Sequence, residues 1–485
     1  MRPSSLRLGA CALLASLLGS GTVAAPAMAA AKDPKVDRRL AATADSLPAA
    51  TELRVIVYGD QKKLKAVAEK GKMRVKKHFR VISAASATVT AGDLEELATD
   101  PDVEYIAPDL PVQPTAAGAP VSFPFLSTLY PQIDGASAAW SKGYTGAGIG
   151  VAVIDSGVVA SADFGSRLVQ VQLNGQTSTA DTYGHGTFVA GIVGGASADG
   201  RYVGIAPGAS IYAVNVNDTS GVFTSNVILG LDWVDANRQT YNIRVVNISL
   251  SETSESSYLS NPLDSAVERL WQHGVIVVVS AGNLGAGTAV YAPANDPFVI
   301  TVGAVDNAGT LTTGDDRAAT FSSAGSTKDG FSKPDLLAPG RQIPSILPAT
   351  TTLGLQAPLL NVLAPGYATM SGTSFAAPQV AGVAALLLQQ HPEWTPDQVK
   401  WLLTQTGRSL SGSGRALDIK AAIEFTGTVG IANEGITPAP PPSGATSTDS
   451  ALTSNTSSWN TSSWNTSSWN TSSWNTSSWN FSAWD

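Results

Sequence analysis

Five runs rich in Val and Ile, at residues 150–154, 211–216, 245–250, 275–279 and 298–305, constrain this chain more than any other feature. Runs that are apolar at nearly every position, rather than at alternate ones, suit strands buried on both faces, the condition of a parallel sheet. Helical patterns lie between them. In one, Asn261 can cap, Pro262 fits the first helical position, Leu263, Ala266, Val267, Leu270 and Trp271 recur at helical spacing, and Gly274 stops the helix. This alternation predicts an α/β fold, an open parallel sheet flanked by helices, with ligand sites at the carboxyl ends of the strands.

The composition changes along the 485 residues. Residues 1–30 read as a secretory signal: Arg2 and Arg7 precede an apolar stretch at 8–18, and Ala27-Met28-Ala29 supplies the small-residue cleavage pattern. That stretch is too short to span a bilayer, and no later one approaches about 18 uninterrupted apolar residues, so no membrane span is expected. The one cysteine, Cys11, belongs to the signal, which leaves the exported chain without disulfide, thiolate metal site or cysteine nucleophile. Residues 32–113 hold 14 basic and 13 acidic residues. The module at 31–117 reads as α+β, with strands at 53–58, 80–89 and 103–106 and helices at 62–70 and 91–99. Lys62, Lys63 and Lys65 read as a solvated helix face, and His78 as a surface residue. The charge-poor region 118–427 carries the Val and Ile runs, and 428–454 is a Pro/Ser/Thr-rich linker.

Residues 455–485 repeat Asn-Thr-Ser-Ser-Trp five times and hold six of the 11 tryptophans. A period of five gathers the rings on neither a strand face nor a helix face, so this tail is expected to be disordered. Its rings suit binding to a cell surface, a polysaccharide or a protein. With a formal net charge of −8 the chain has no basic footprint for nucleic acid or an anionic membrane.

Three motifs fall at predicted strand or helix ends. Asp155-Ser156-Gly157 follows the first run, Gly184-His185-Gly186-Thr187 opens an apolar helix, and Ser371-Gly372-Thr373-Ser374-Phe375 leads into another. A fourth, Ser280-Ala281-Gly282-Asn283, follows the run at 275–279. Taken singly, each has a plain structural reading: a turn Asp, a capping Ser, a turn Asn. Of the four histidines, His273 and His391 suit helix ends, and only His185 is framed for chemistry. Jointly they supply what acyl transfer needs. A serine hydroxyl is a poor nucleophile until an imidazole takes its proton, a carboxylate orients that imidazole, and an amide with a helix-start N–H receives the oxyanion.

On Val-Ile-Asp155-Ser-Gly-Val, Gly-His185-Gly-Thr-Phe-Val-Ala-Gly, Ser-Ala-Gly-Asn283 and Gly-Thr-Ser374-Phe-Ala-Ala-Pro, the chain resembles the subtilisin-like serine peptidases over about residues 130–427. The resemblance implies a secreted endopeptidase acting through an acyl-enzyme. Ser374 would be the nucleophile, His185 base and then acid, Asp155 its orienting carboxylate, and Asn283 with the Ser374 N–H the oxyanion hole. It also implies that Ser249-Leu250-Ser251, together with Ala281 and Gly282, binds extended peptide. The charged module resembles the family's inhibitory propeptide, removed by self-cleavage. The chemistry would need no cofactor; structural calcium is known in the family, but no motif here fixes a site. Ser251 stands where the commonest family pattern has glycine, and Tyr291-Ala292-Pro293-Ala294 departs from the usual tyrosine-proline spacing, which leaves the first specificity pocket open. Two alternatives stand beside this reading: an adhesion protein whose tail does the work on a degenerate hydrolase scaffold, and a hydrolase of esters or small amides.

Overall fold

In the computed structural model, residues 35–110, 112–114, 127–173, 179–217, 221–288, 290–356, 362–410 and 412–439 are described, all within the unit Lys35–Asp485. The expected signal at 1–30 and the repeat tail at 455–485 lie outside them.

The charge-dense stretch folds as α1 (Arg38–Asp45), β1 (Glu52–Tyr58), α2 (Gln61–Glu69), β2 (Arg74–His78), β3 (Ala84–Thr90), α3 (Leu94–Thr99) and β4 (Tyr105–Pro108). Asp37 and Asp60 cap α1 and α2 by accepting N–H groups of the first turn. The strands form an antiparallel sheet in the order β2-β3-β1-β4. Strand alternation assigns its two faces. Val55 and Val57 of β1 pack with Leu64, Val67, Leu94 and Leu97 in the module's own core, whereas Ile56 and Tyr58 join the core of the following region. The sequence reading missed α1 and β2 and began the strand at 80–89 too early. β2 alternates between exposed and half-buried residues and is too basic to show an apolar period. Residues 79–83 turn instead, closed by the Phe79 N–H donating to the Ala84 carbonyl at 3.0 Å. Lys62, Lys63 and Lys65 are exposed, and His78 is half-buried. A short strand, β5 (Val112–Pro114), follows.

The Val and Ile runs become β6 (Gly150–Asp155), β8 (Ser210–Asn215), β9 (Ile243–Ile248), β11 (Ile276–Ser280) and β12 (Ile300–Asp306), joined by β7 (Leu168–Gln172), β10 (Leu250–Glu252), β13 (Leu336–Pro339), β14 (Arg408–Leu410) and β15 (Gly414–Ala416). All of these but β10 lie in one sheet, ordered β14-β15-β13-β12-β11-β9-β6-β8-β7. It is parallel from β15 to β7, with β14 and the short strand Arg317–Ala318 antiparallel at its margins. Every residue of β6 and β11 is buried, and each such Val or Ile contributes about 1.5–3 kcal/mol. β7 escaped the sequence reading because it is an edge strand with exposed Gln residues, and β13 because it is four residues long.

Helix α4 (His185–Gly194) packs with α7 (Thr373–Gln390), and α5 (Thr224–Asn237) with α6 (Pro262–Gln272), each pair also touching the sheet. β6 has β8 on one side and β9 on the other. The chain therefore builds outward to β8 and β7 and then reverses towards β9, β11 and β12. The crevice of such a reversal lies at the carboxyl end of β6. The chain stays attached beyond Gly427: the Ala439 N–H donates to Glu268 of α6 at 2.8 Å, and Asn433 Nδ2 to Asp397 of α8 (Pro396–Thr406) at 2.8 Å. Among the described residues no helix is long and apolar enough to cross a membrane.

Asp264, on α6, is fully buried; burial, then the charges of Asp296 and Glu252, push its carboxyl well above the ordinary range. A carboxyl raised in the folded state contributes stability that is complete below about pH 4, its unfolded value, and lost as pH climbs through the folded one. Asp264→Asn, which cannot ionise, is therefore expected to raise the melting temperature at pH 9 by roughly 2 °C, with the gain shrinking at pH 5. Calorimetry in a Ser374→Ala background, free of the expected self-cleavage, checks this; equal gains at both pH values would show that ionisation is not the cause.

Candidate active site

β6 ends in Asp155 and α4 begins with His185. Both side chains are inaccessible to solvent, at 1% and 0% exposure, and His185 Nδ1 lies 2.8 and 2.9 Å from the two Asp155 carboxylate oxygens. The Ser156 N–H donates to Asp155 Oδ1 at 2.7 Å, holding the carboxylate in its plane of approach. A carboxylate on Nδ1 assigns the ring's proton to that nitrogen and leaves Nε2 to take one. Nε2 is buried with no hydrogen-bond partner among the described residues.

The flanking glycines answer two distinct demands. Gly184 sits at φ 101°, where a Cβ would fall 2.5 Å from Thr351 Oγ1. At Gly186 a Cβ would fall 2.2 Å from the Gly157 carbonyl oxygen and 3.0 Å from Asp155 Cβ. Only glycine lets the helix start come this close to the end of β6.

Ser374 occupies the first turn of α7, fully buried. Its neighbour Phe375 places its ring 5.6 Å from that of His185 and 4.7 Å from that of Phe188, which joins the first turns of α4 and α7. Pro378, four residues on, has no N–H to give to the Ser374 carbonyl. Ser249 supplies the missing donor: its hydroxyl donates to the Ser374 carbonyl at 3.0 Å and is itself held by Asn247 Nδ2 at 3.0 Å. The end of β9 is thereby tied to the helix that carries Ser374.

Asn283 follows β11 on its loop. Its Oδ1 accepts the Thr373 N–H at 2.9 Å and the Thr373 hydroxyl at 3.1 Å, which orients the amide and leaves Nδ2 buried with no partner among the described residues. A buried donor without an acceptor is poised for a ligand oxygen. Ala281 and Gly282 are otherwise engaged: the Ala281 N–H donates to the Val302 carbonyl, the Gly282 N–H to Thr373 Oγ1, and the Gly282 carbonyl accepts from Ser323. They can wall a cleft, with these groups already paired inside the protein. Leu250 and Ser251 belong to β10, which pairs antiparallel with β5, Leu250 opposite Pro114 and Ser251 opposite Gln113. The expected peptide-binding strand thus already carries a strand of the same chain.

The sequence reading gave no role to Asp181, Thr373 or Pro378. The last two lie inside or next to the serine motif, and Asp181 stands four residues before His185, so adjacency was the available signal. Burial by itself would depress the His185 pKa, but the charge and hydrogen bond of Asp155, with the charge of Asp181, outweigh it and the net shift is upward. Among the described residues no group of three or more His, Cys, Asp or Glu side chains is arranged to hold a metal ion, so the expectation of structural calcium finds no such cluster.

A family model described as the subtilase family matches residues 146–424. Subtilisin amylosacchariticus from Bacillus subtilis subsp. amylosacchariticus is 35% identical over 361 residues, which cover 73% of this chain and 82% of that protein. Serine protease AprX from Bacillus subtilis (strain 168) is 39% identical over 279 residues, covering 53% of this chain and 61% of AprX. Among solved structures, fervidolysin from Fervidobacterium pennivorans, a keratinolytic enzyme related to subtilisin, superposes with a TM-score of 0.59 at 26% identity, covering 78% of this chain and 61% of fervidolysin.

Gly186→Ala is expected to separate His185 from Asp155, because its Cβ must displace the Gly157 carbonyl. The downfield Nδ1 proton resonance that this hydrogen bond predicts for His185 in the parent protein should then broaden or vanish. An unchanged resonance would show that the close approach of α4 and β6 is dispensable.

Proposed function

Since the chain belongs to the subtilase family and is a subtilisin-like serine endopeptidase, we propose that Asp155, His185 and Ser374 form its reacting set, with Asn283 as oxyanion donor. The observation that carries this is the buried His185–Asp155 pair at the carboxyl end of β6, next to α7, whose first turn carries Ser374. His185 Nε2 takes the Ser374 proton as Oγ attacks the peptide carbonyl. The oxyanion is met by Asn283 Nδ2 and the Ser374 N–H at the positive end of α7. The imidazolium then protonates the leaving amine, the C–N bond breaks, and an acyl-enzyme remains. Water, deprotonated by His185, releases the acid and restores Ser374. These side chains supply base, nucleophile and electrophile, so the bond-breaking steps call for no cofactor.

The same reading covers the amino-terminal module as inhibitory propeptide. Its β5 lies on β10 in the manner of an added substrate strand. Asp109 accepts from the N–H and hydroxyl of Ser225 at the start of α5, at 2.9 and 2.8 Å, and the Leu110 carbonyl accepts from the Thr224 hydroxyl at 3.0 Å. Arg54 stacks 3.6 Å over Phe223. Pro114, the last residue of β5, lies opposite Leu250, next to the Ser249 that holds Ser374. We read self-cleavage as falling just beyond β5, the signal-like start as directing secretion, and the tryptophan repeats at 455–485 as a surface-binding appendage.

Expression of the chain beside Ser374→Ala tests this. Wild type should shorten to a product whose amino terminus lies within residues 115–119 and which cleaves casein, while Ser374→Ala stays full length and inactive. Equal processing of the two would exclude self-cleavage. Asn283→Ala should lower kcat about 10²–10³-fold with little change in KM. Because His185 must be neutral to act and its pKa lies above 6.5, the acid limb of kcat against pH should fall above pH 6.5; full activity at pH 5.5 would contradict the assignment.

A further inference from the structure

A second buried carboxylate stands behind the His185–Asp155 pair. Asp181 is 2% exposed, and both its oxygens are fully engaged. Oδ1 accepts the Ser156 hydroxyl at 2.8 Å, the Gly184 N–H at 2.7 Å and the Tyr183 N–H at 3.1 Å. Oδ2 accepts the N–H and hydroxyl of Thr187 at 2.9 and 2.7 Å. Ser156 Oγ in turn accepts the Gly186 N–H at 2.9 Å. These bonds join two things: the residue that follows Asp155 at the end of β6, and the N–H groups on both sides of His185 at the start of α4.

Helix α4 lacks an ordinary cap. Its N-cap is Gly184, with no side chain to offer. Asp181 does the capping from outside the helix, and it does so with a charge at the positive end of the helix dipole. Burying a carboxylate is costly unless it is hydrogen-bonded throughout. Five donors spent on one side chain whose partners bracket His185 mark a group that sets the imidazole's place.

We propose that Asp181 is a positioning residue for the peptidase reaction: its carboxylate clamps the first turn of α4 to the end of β6 and so fixes where His185 stands relative to Asp155. This rests on the reading of Asp155, His185 and Ser374 as the reacting set. The groups facing the imidazole are Asp155 from β6, Asp181 and Tyr183 from the loop before α4, and the uncharged Phe375 from α7. Asp181 therefore also adds a second negative charge that favours the imidazolium formed when Ser374 loses its proton. Its own carboxyl is pushed up by burial, against the hydrogen bonds from Thr187, Gly184 and Ser156.

The test uses the full chain and two readouts. With only four histidines in the chain, ¹⁵N-histidine NMR in the inactive Ser374→Ala background can follow the His185 titration directly. Asp181→Asn is expected to lower its midpoint by about one pH unit, the effect of removing one nearby charge. In enzyme matured with added wild-type protein, Asp181→Asn should lower kcat about 10- to 100-fold with KM within about twofold. An unchanged midpoint and unchanged kcat would overturn the proposal, leaving Asp181 as a helix cap alone. Should Asp181→Asn fail to fold, Ser156→Ala decides. It keeps the charge and cuts the link, so the midpoint should hold while kcat falls about tenfold; an unchanged kcat overturns the proposal. Asp155→Asn is measured alongside. Its full activity would strike the underlying reading, whereas its loss together with a silent Asp181→Asn would strike only the role given to Asp181.

Discussion

An imidazole and a carboxylate, both shut away from water, meet where a buried strand ends and a buried helix begins. Desolving such a pair is expensive, and the mutual attraction offsets the cost only when the remaining lone pairs are satisfied and the geometry is held. Much of the surrounding architecture serves that requirement. The sheet delivers Asp155 at the point where chain order reverses. Gly186 lets α4 approach to within a distance that any Cβ would forbid. Ser156 and Asp181 saturate the hydrogen-bonding groups around the pair. Among the described residues, Nε2 of His185 and Nδ2 of Asn283 are buried and unpaired, open to a reacting group.

The second helix start is held by a different device. Pro378 removes a donor from the interior of α7, which would normally weaken a helix. Here the released Ser374 carbonyl is taken by Ser249, a residue of the strand end that leads into β10. Ser249 thus ties the first turn of α7 to the segment between β9 and β10. A change at Ser249 would be felt both in the first turn of α7 and in β10, which begins at the next residue. β5 of the same chain is seated on β10, with Pro114 opposite Leu250, the residue after Ser249.

The Val and Ile runs were legible because burial on both faces demands apolar side chains at successive positions; β6, β9, β11 and β12 appeared within about two residues of where the runs predicted them. β7 and β2 were not legible, since an edge strand meets solvent and its residues need follow no apolar rule. Of the site, Asp155, His185, Ser374 and Asn283 could be picked out as motifs. Asp181, Thr373 and Ser156 could not, because Asp, Thr and Ser are common turn and capping residues, and nothing in one dimension distinguishes a cap from a clamp.

By itself the sequence determined the α/β class, the existence of a charge-dense module before it, and the four residue types needed for acyl transfer. These follow from local rules: the period of apolar residues, the composition of segments, and the chemistry of individual side chains. Tertiary structure decided what stands next to what. It brought residue 155 to residue 185, turned Asn283 with Thr373, and laid the module's last strand on β10. It also brought Ser156, at the end of β6, to Asp181 and to the Gly186 N–H. Such contacts depend on how the chain crosses from strand to helix and back, and they are fixed by packing against distant segments rather than by any property of the neighbours in sequence.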